Sequence, residues 1–283
     1  MASITTEDLA AAVQRYAEVA TTVNRREMTR FIDEIRQRWH PKPPEEWELP
    51  RSEGYTDEGV FNLCIYEQAF NDMEPHRDGE LTEAELNNEV LLLPSTEGLI
   101  DFIPKPLAEP APQDELNEKL DALKNQLQER SDQTAITDTM AIQLPSEFIK
   151  LMSMTNGLNG AGVPSETAET VLVRPLNEHR ADIATHESGF NLATSRFYTA
   201  LAAWEIGGCT QFRQIYYVLC YRIDRNDKET AADARWRIFD HDDMCVDVYD
   251  SLTAFVEHET KRVGERPGGA KQVQIIIDCP YPW

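Results

Sequence analysis

The stretch LPSEFIKLMSMTNGLNG, residues 144–160, decides how the fold is built. Pro145 suits the first turn of a helix, because the N–H that proline lacks would have no intrahelical partner there. A stripe of apolar side chains at helical spacing accompanies it, formed by Leu144, Phe148, Leu151 and Met152. Asn156-Gly157 then supplies a left-handed exit that ends the helix. The stretch therefore predicts a structural corner between a helix and a sheet, not an active site.

Helical patterns precede this corner and strand patterns follow it. Apolar residues recur every three or four positions in residues 6–23, 25–39, 59–70 and 113–130. Short runs rich in Val, Ile, Tyr and Trp predict strands at Thr170–Leu176, Leu201–Ile206, Ile215–Ile223, Arg235–Phe239, Cys245–Tyr249 and Gln272–Ile277. One helix interrupts them, with Ser251 as its N-cap and with Leu252, Phe255, Val256 and Glu259 following at helical spacing. This order predicts an α+β fold with an antiparallel or mixed sheet of about six strands.

A proline-rich segment divides the chain. IPKPLAEPAP, residues 103–112, carries prolines at positions 104, 106, 110 and 112. Such a segment is expected to be extended, stiff and unable to join a sheet, which are properties of a linker. The predicted organisation is a mainly helical region at 1–103, a linker at 104–112 and an α+β domain at 113–283.

The charge of the chain restricts its partners. The sequence has 50 Asp and Glu against 27 Lys and Arg, a formal net charge of −23. Such a surface repels phosphate backbones and anionic lipid, so neither nucleic acid nor a membrane is an expected partner. It attracts a protein with a basic surface, although acidity also serves solubility alone. The sequence does not indicate an oligomeric state.

Cysteine usage and the N-terminus indicate the compartment. The five cysteines form no C-x-x-C pair, and most lie in or beside apolar runs, which favours buried free thiols. MASITTEDLA has neither the basic nor the apolar region of a secretory signal, and no apolar run approaches the roughly 20 residues of a membrane helix. A cytoplasmic protein without a cofactor is expected.

Two segments resemble ion sites. EPHRDGELTEAE, residues 74–85, matches the second half of a calcium-binding EF-hand loop, with Asp78, Gly79 and Glu85 in the expected places. Glu74 and His76 depart from the pattern, because Ca²⁺ prefers oxygen ligands. An Asp-Gly turn before a helix opened by the capping box of Thr82 and Glu85 is favoured, with calcium left as an alternative.

The second segment, FDHDDMCVDVYD at residues 239–250, gathers Asp240, His241, Asp242, Asp243, Asp247 and Asp250. Carboxylates beside a histidine suit a divalent metal or general acid–base catalysis. The flanks alternate in the manner of strands, so a solvated hairpin is favoured over a metal or catalytic site. No residue is assigned to catalysis and none to a metal.

Two further features have modest weight. His179 and His186 are seven residues apart, a spacing that on its own is weak evidence for zinc and that favours a surface helix or loop. In AAWEIGGC, residues 202–209, Trp204 is expected in the core and Glu205 at a rim, before Gly207-Gly208 permits a sharp turn or bulge.

In order and spacing these motifs resemble the SUKH superfamily, which includes fungal regulators of cell-wall glucan synthesis and bacterial immunity proteins that neutralise toxins. The resemblance covers roughly residues 113–265. The matching positions are Leu144, Pro145, Phe148, Asn156, Gly157, Trp204, Trp236, Ser251 and Phe255. Leu252 departs from the family, where Phe is common. The helical region before residue 100 is not explained by this resemblance, although long extensions of that kind resemble the fungal members.

The resemblance implies a protein-binding fold without a shared catalytic residue set. We therefore expect a non-enzymatic, regulatory interaction module that contacts a basic partner through Glu205, Asp240, Asp242 and Asp243. A toxin-neutralising immunity protein is the first alternative. A metal-binding protein or enzyme using the Asp/His hairpin is the second.

Overall fold

A computed structural model describes residues 6–38, 57–70, 90, 92–93, 95–133, 141–162, 171–179, 197–209, 213–223, 229–242 and 245–265. The chain forms two compact units, each discontinuous in sequence. The sheet unit comprises Met1–Val19, Lys105–Gly160 and Glu169–Arg262, and the helical unit comprises Ala20–Pro104, Ala161–Ala168 and Val263–Trp283. Helix α1 contributes its first part to the sheet unit. The domain boundaries given above stay a prediction.

The sheet confirms the predicted α+β class. Six strands lie in the order of the chain, and each is antiparallel to its neighbours. The strands are β1 Leu158–Asn159, β2 Val171–Val173, β3 Tyr198–Cys209, β4 Arg213–Arg222, β5 Arg235–Asp242 and β6 Cys245–Tyr249. The long central strands are rich in β-branched and aromatic residues, which suit a pleated surface covered on its faces.

Five α-helices are described, and the N-terminal one is longer than expected. They are α1 Thr6–Arg38, α2 Asp57–Phe70, α3 Gln113–Gln133, α4 Ser146–Met154 and α5 Leu252–Gly264. Residues 6–23 and 25–39 were expected as separate helices, but they form one. No proline or glycine lies between the two apolar patterns, so nothing in the chain interrupts the backbone hydrogen bonds there.

Several sequence-based expectations fall outside the described residues. These are the EF-hand-like loop at 74–85, most of the helix after Thr82, and the strand at Gln272–Ile277. The described residues nevertheless form six strands, because the sheet contains β1, which the sequence did not predict. Strand β1 has only two residues, and the second of them, Asn159, belongs to an Asn-Gly pair, so the strand offers no alternating pattern to detect.

The helical unit has its own apolar core. Helices α1 and α2, a short 3-10 segment at Thr96–Phe102 and the isolated residue Val90 supply the buried side chains. These are Met28, Phe31, Ile32, Ile35, Phe61, Leu63, Ile65, Val90 and Leu99. Residues from α1 recur at helical spacing in this set, which confirms the apolar face expected from the sequence.

The core of the sheet unit is aromatic. Phe148 of α4 lies edge-on to Trp204 of β3, with ring centroids 5.3 Å apart, and Trp204 stacks on Tyr217 of β4 at 4.9 Å. Trp236 of β5 lies edge-on to Trp204 at 5.0 Å. Both arrangements are those that aromatic quadrupoles favour. The prediction of Trp204 as a core residue is confirmed, because its side chain is fully buried.

The proline-rich segment joins the sheet, contrary to expectation. Leu107 forms an isolated antiparallel bridge with Leu158 of β1. On either side, the Asn159 N–H donates to the Pro106 carbonyl at 2.9 Å and the Ala108 N–H donates to the Gly157 carbonyl at 3.3 Å. Proline lacks an N–H but keeps its carbonyl, so Pro106 can accept from a strand while it cannot donate.

Candidate functional site

The corner at residues 144–160 is built largely as its sequence predicts. Pro145 was expected in the first turn but is the N-cap, with an extended backbone, and helix α4 begins at Ser146 and buries Phe148, Leu151 and Met152. It ends at Met154 with an extended Thr155 as the C-cap, one residue earlier than an exit with Gly157 directly after the C-cap requires. Gly157 does adopt a positive φ of +145°, and a side chain there would approach the Val173 carbonyl to 3.0 Å. That glycine therefore serves the close approach of β2.

The two family-like motifs contact each other through Glu147. Its carboxylate accepts from the Leu252 N–H at 2.9 Å and from the Thr253 hydroxyl at 2.7 Å, across about a hundred residues of sequence. Leu252 and Thr253 begin helix α5. Ser251 caps this helix as expected, because its hydroxyl accepts a hydrogen bond from the Ala254 N–H at 3.0 Å. The first turn of α5 thus receives a negative charge from α4, where the helix dipole favours one.

Phe255 and Trp236, two further positions on which the resemblance rests, also make structural contacts. Phe255 is fully buried and lies edge-on to Tyr249 of β6, with ring centroids 5.5 Å apart. The Trp236 indole N–H donates to the Gln143 carbonyl at 2.8 Å, immediately before the corner. Asn156 uses its side-chain oxygen to accept from the Leu176 N–H at 3.0 Å. All of these interactions are structural.

Asp240 was expected on a solvated hairpin, and the structure corrects this. Its carboxylate is buried and accepts a forked pair of hydrogen bonds from Arg213, one of them 2.8 Å long. Arg213 also donates to Glu259 of α5 at 2.7 Å, and Arg262 donates to Glu259 at 2.6 Å. We call these four residues the Arg213 cluster. The register of β4 and β5 places Asp240 beside Ile215, next to Arg213 in the sheet.

Within the Arg213 cluster, burial and ion pairing shift the pKa values of Glu259 and Arg213. Burial alone would raise the pKa of Glu259, but hydrogen bonds and charge from Arg262 and Arg213 outweigh it and lower that pKa below 4.5. Burial would likewise lower the pKa of Arg213, but Asp240 and Glu259 outweigh it and raise it. Both groups are held in their charged forms. A partner approaching Asp240 would meet a carboxylate that Arg213 already neutralises.

A second ionic group lies at the opposite end of β5. Arg237, almost fully buried, donates to Glu229 at 2.9 Å, to Asp250 at 3.1 Å and to the Cys220 carbonyl at 2.8 Å. Arg235 also reaches Asp250 at 3.1 Å. We call Arg237, Glu229, Asp250 and Arg235 the Arg237 cluster. Burial raises the pKa of the neighbouring Cys220 thiol to about 11, so this cysteine is protonated and unreactive at neutral pH.

Glu205 is half-buried and paired. Its carboxylate lies 2.7 Å from the Arg174 guanidinium, and burial raises the pKa of Glu205 while Arg174 opposes the shift. His179 was expected on a surface helix or loop but is buried beside this pair. Its Nε2 lies 2.9 Å from the Arg174 carbonyl oxygen and its Nδ1 lies 3.3 Å from the Glu205 carbonyl oxygen. Burial lowers the pKa of His179 to about 4, so the ring is neutral at pH 7.

The Gly207-Gly208 pair lies within β3, where it marks a bulge. The register of β3 against β4 shifts between Glu205 and Gly207. A side chain at Gly207 would come within 2.3 Å of the Leu172 carbonyl oxygen, and Gly208 has a φ of +119°. The bulge is as predicted, and the sharp turn is not formed, because β3 continues to Cys209.

The remaining predicted contact residues lie around the β5–β6 hairpin. The backbone of Asp242 ends β5 and pairs with Cys245, while Asp243 lies outside the described residues. Asp247, in the middle of β6, is exposed. In the register of the two strands its backbone lies directly opposite that of Asp240. The structure thus separates the Asp residues of this hairpin: Asp240 faces a cation and Asp247 faces solvent. Only long-range contacts make that distinction.

The described residues also bear on metal binding and on membrane insertion. Within those ranges, no three His, Cys, Asp or Glu residues form a group that could hold a metal ion. Across the same part of the chain, no helix has the length and apolar character needed to cross a bilayer.

Comparison with protein families, with curated proteins and with solved structures finds no match to this chain. The resemblance to the SUKH superfamily therefore stays a prediction.

Sequence reasoning missed the groups that hold this site together. Arg213 was not singled out, although it meets Asp240 and Glu259 from distant segments, and Glu147 was read only as part of a helix start. One signal was present: Glu259 falls on the apolar face of α5 in the helical pattern. A charged residue on a buried face requires a counter-ion.

Proposed function

We propose that this chain is a non-enzymatic, cytoplasmic protein-interaction module of the SUKH type, with a regulatory role of the kind found in the fungal members. The observation that supports the proposal most is the direct contact between the two motifs that carry the resemblance. Glu147 of α4 accepts hydrogen bonds at the start of α5, and Phe148 of α4 packs on Trp204. Motif residues that share one core are what an inherited domain scaffold requires.

Charge supports the choice of partner. A net charge of −23 favours a basic protein surface by long-range attraction, which accelerates association and weakens as salt increases. The contact residues proposed are Glu205, Asp242 and Asp243, with Asp240 present but already paired to Arg213. Asp242 and Asp243 are the residues chosen for mutation. Glu205 suits a test less well, because its substitution would also break its ion pair with Arg174.

The test compares two charge reversals of equal size. The full chain carrying Asp242→Lys and Asp243→Lys, and a control carrying Glu118→Lys and Asp121→Lys on the exposed side of α3, are each used for affinity purification from native cells. The proposal predicts a partner retained by the wild type and by the control but lost by the hairpin variant, with retention falling as ionic strength rises. A partner held equally by all three proteins, and indifferent to salt, would contradict it.

An immunity protein that neutralises a nuclease-like toxin is the second candidate, and the same excess of negative charge favours it. Such a protein would compete with nucleic acid for a basic active site. Genes adjacent to the one that encodes this chain discriminate between the two functions, because an immunity protein requires a toxin encoded beside it. Absence of a toxin gene there would remove this candidate.

A further inference from the structure

The two edges of the sheet differ in what lies beside them. At the β1 edge, the segment around Leu107 covers the strand with one bridge and two flanking backbone hydrogen bonds. At the other edge, the described residues include no strand beyond β6, which pairs with β5 alone. A strand at the end of a sheet presents a row of N–H and C=O groups that can pair with another extended chain.

The sequence of β6 is suited to strand addition. Its five residues, CVDVY, contain no proline, so every outer N–H can donate. Val246 and Val248 are partly buried and pack against the apolar cluster that Tyr216, Val218 and Phe239 form on the sheet. Asp247, between the two valines, points to the opposite face and is exposed. The strand thus offers an apolar row on one face and a carboxylate on the other.

The charge of this edge selects among possible occupants. Asp240 pairs with Arg213, and Asp250 pairs with Arg235 and Arg237, but Asp247 has no cation within ion-pair distance in the described ranges. A second copy of the chain is disfavoured, because it would bring another strongly acidic surface against Asp247. An incoming strand with Lys or Arg opposite Asp247 would gain a cross-strand ion pair instead.

We infer that the module takes its partner by strand addition: an extended, basic segment pairs with the outer edge of β6, with apolar residues beside Val246 and Val248 and a basic residue beside Asp247. This inference rests on the proposed function, since it assumes that the partner is a protein with basic character. It deepens that function by naming the mode of binding, in which backbone hydrogen bonds give affinity and alternate side chains give specificity.

The first experiment measures binding of a defined probe to the full chain. The probe is a fluorescein-labelled peptide of alternating Val and Lys. A peptide of alternating Val and Glu controls for strand character, and a basic peptide rich in Ala and Lys, which favours helix, controls for charge. We expect anisotropy to report binding of the Val-Lys peptide alone, weakened at least about fivefold by Asp247→Lys. The variant Glu118→Lys, with the same change in charge, should leave the affinity unchanged.

Proline substitutions test the use of the edge itself. In an antiparallel pair, successive residues turn their backbone groups alternately toward the neighbouring strand and away from it. Of Asp247→Pro and Val248→Pro, one therefore removes an N–H bonded to β5 and lowers the melting temperature, while the other removes an outer N–H and leaves the fold intact. We expect the variant that keeps the wild-type melting temperature to bind the Val-Lys peptide about tenfold more weakly or worse.

Three results of the peptide measurements would overturn the inference. They are absence of binding by the Val-Lys peptide, equal binding by the helical basic peptide, and unchanged affinity in the proline variant that keeps the wild-type melting temperature. Concentration-dependent dimers that the same proline variant dissolves would assign the edge to a second copy, and would also overturn it. None of these results bears on the affinity purification described above, so the proposed function can survive the loss of this mode of binding.

Discussion

The Arg213 cluster and the Arg237 cluster use the same chemical groups but bury opposite partners. In the Arg213 cluster the Glu259 carboxylate is 0% exposed, whereas the Arg262 cation that binds it is 38% exposed. In the Arg237 cluster the cation is 1% exposed and its partner Asp250 is 69% exposed. The cost of losing one partner is set mainly by the burial of the group left behind. The first cluster should therefore be sensitive to loss of a cation and the second to loss of an anion.

The largest effect is expected for Arg213→Met. This change leaves Glu259 and Asp240 buried without their shared counter-ion, and should lower the free energy of unfolding by about 3–5 kcal/mol. Urea denaturation at neutral pH measures it. The variant Arg213→Lys keeps the charge but not the forked geometry. Its free energy of unfolding should lie between those of Arg213→Met and the wild type. A loss within about 1 kcal/mol for Arg213→Met would show that the cluster behaves as an exposed ion pair.

Acid should narrow the difference between Arg213→Met and the wild type. The pKa of Glu259 is below 4.5 in the folded protein, so its stabilising effect is fully present above 4.5 and is lost as pH falls through the folded pKa. The variant lacks the Arg213 part of that effect and has less to lose. We expect the two unfolding free energies to converge as pH falls below about 4.5. A difference that stays constant down to pH 3 or so would contradict the assigned charge states.

His179 extends the comparison to a buried group that is neutral. Its pKa is about 4 in the folded protein against an ordinary value of 6.5, because burial and Arg174 oppose the charge more strongly than the two carbonyl oxygens favour it. The unfolded chain therefore takes up a proton first, and stability is lost as pH falls from 6.5 to about 4. The total loss should be about 3 kcal/mol, and this window lies largely above that of Glu259.

The variant His179→Gln tests that assignment. Gln keeps a donor for the Arg174 carbonyl but does not titrate. Unfolding free energies of both proteins at pH 7 and pH 5 or so should show a decrease in the wild type that the variant lacks. Equal decreases in the two proteins would assign the acid sensitivity to other groups.

Local patterns predicted the elements of this fold well, and tertiary pairing explains most of what they missed. Strand β6 and the start of α5 follow from alternation and from an N-cap, both readable within a few residues. The burial of Asp240 depends on Arg213, 27 residues away, and on Glu259, so no window around FDHDD contains the information. The position of His179 depends in the same way on the Glu205 carbonyl of β3.

The edges of the sheet could not be predicted from the sequence either. Strand β1 is too short to alternate, and the rule that proline cannot join a sheet considers only the missing donor. Pro106 contributes through its carbonyl, which the rule leaves out. The covered edge at β1, and the edge at β6, beyond which the described residues include no further strand, became visible only once the strand order was known.

A moderate effect is expected for Glu229→Gln in the Arg237 cluster. Gln can still accept from the Arg222 N–H but no longer neutralises Arg237, which stays buried with Asp250 as its remaining carboxylate. The free energy of unfolding should fall by about 1–3 kcal/mol. Urea denaturation measures it, with Glu257→Gln on the exposed face of α5 as a control that should change little. If Glu229→Gln lowered the free energy of unfolding no more than Glu257→Gln does, the burial of Arg237 would not determine the cost of losing Glu229.

The smallest effect is expected for Asp250→Asn, and it tests the comparison most directly. Asp250 touches both Arg235 and Arg237 at 3.1 Å, so a count of contacts would rank it with Glu259. Its exposure lets water replace the lost charge, and the free energy of unfolding should fall by only about 0.5 kcal/mol. In the Glu229→Gln background, however, Asp250 is the last carboxylate beside Arg237, and the same substitution should cost clearly more than it does alone. Additive losses in that double-mutant cycle would mean that the burial of Arg237 does not govern the cluster.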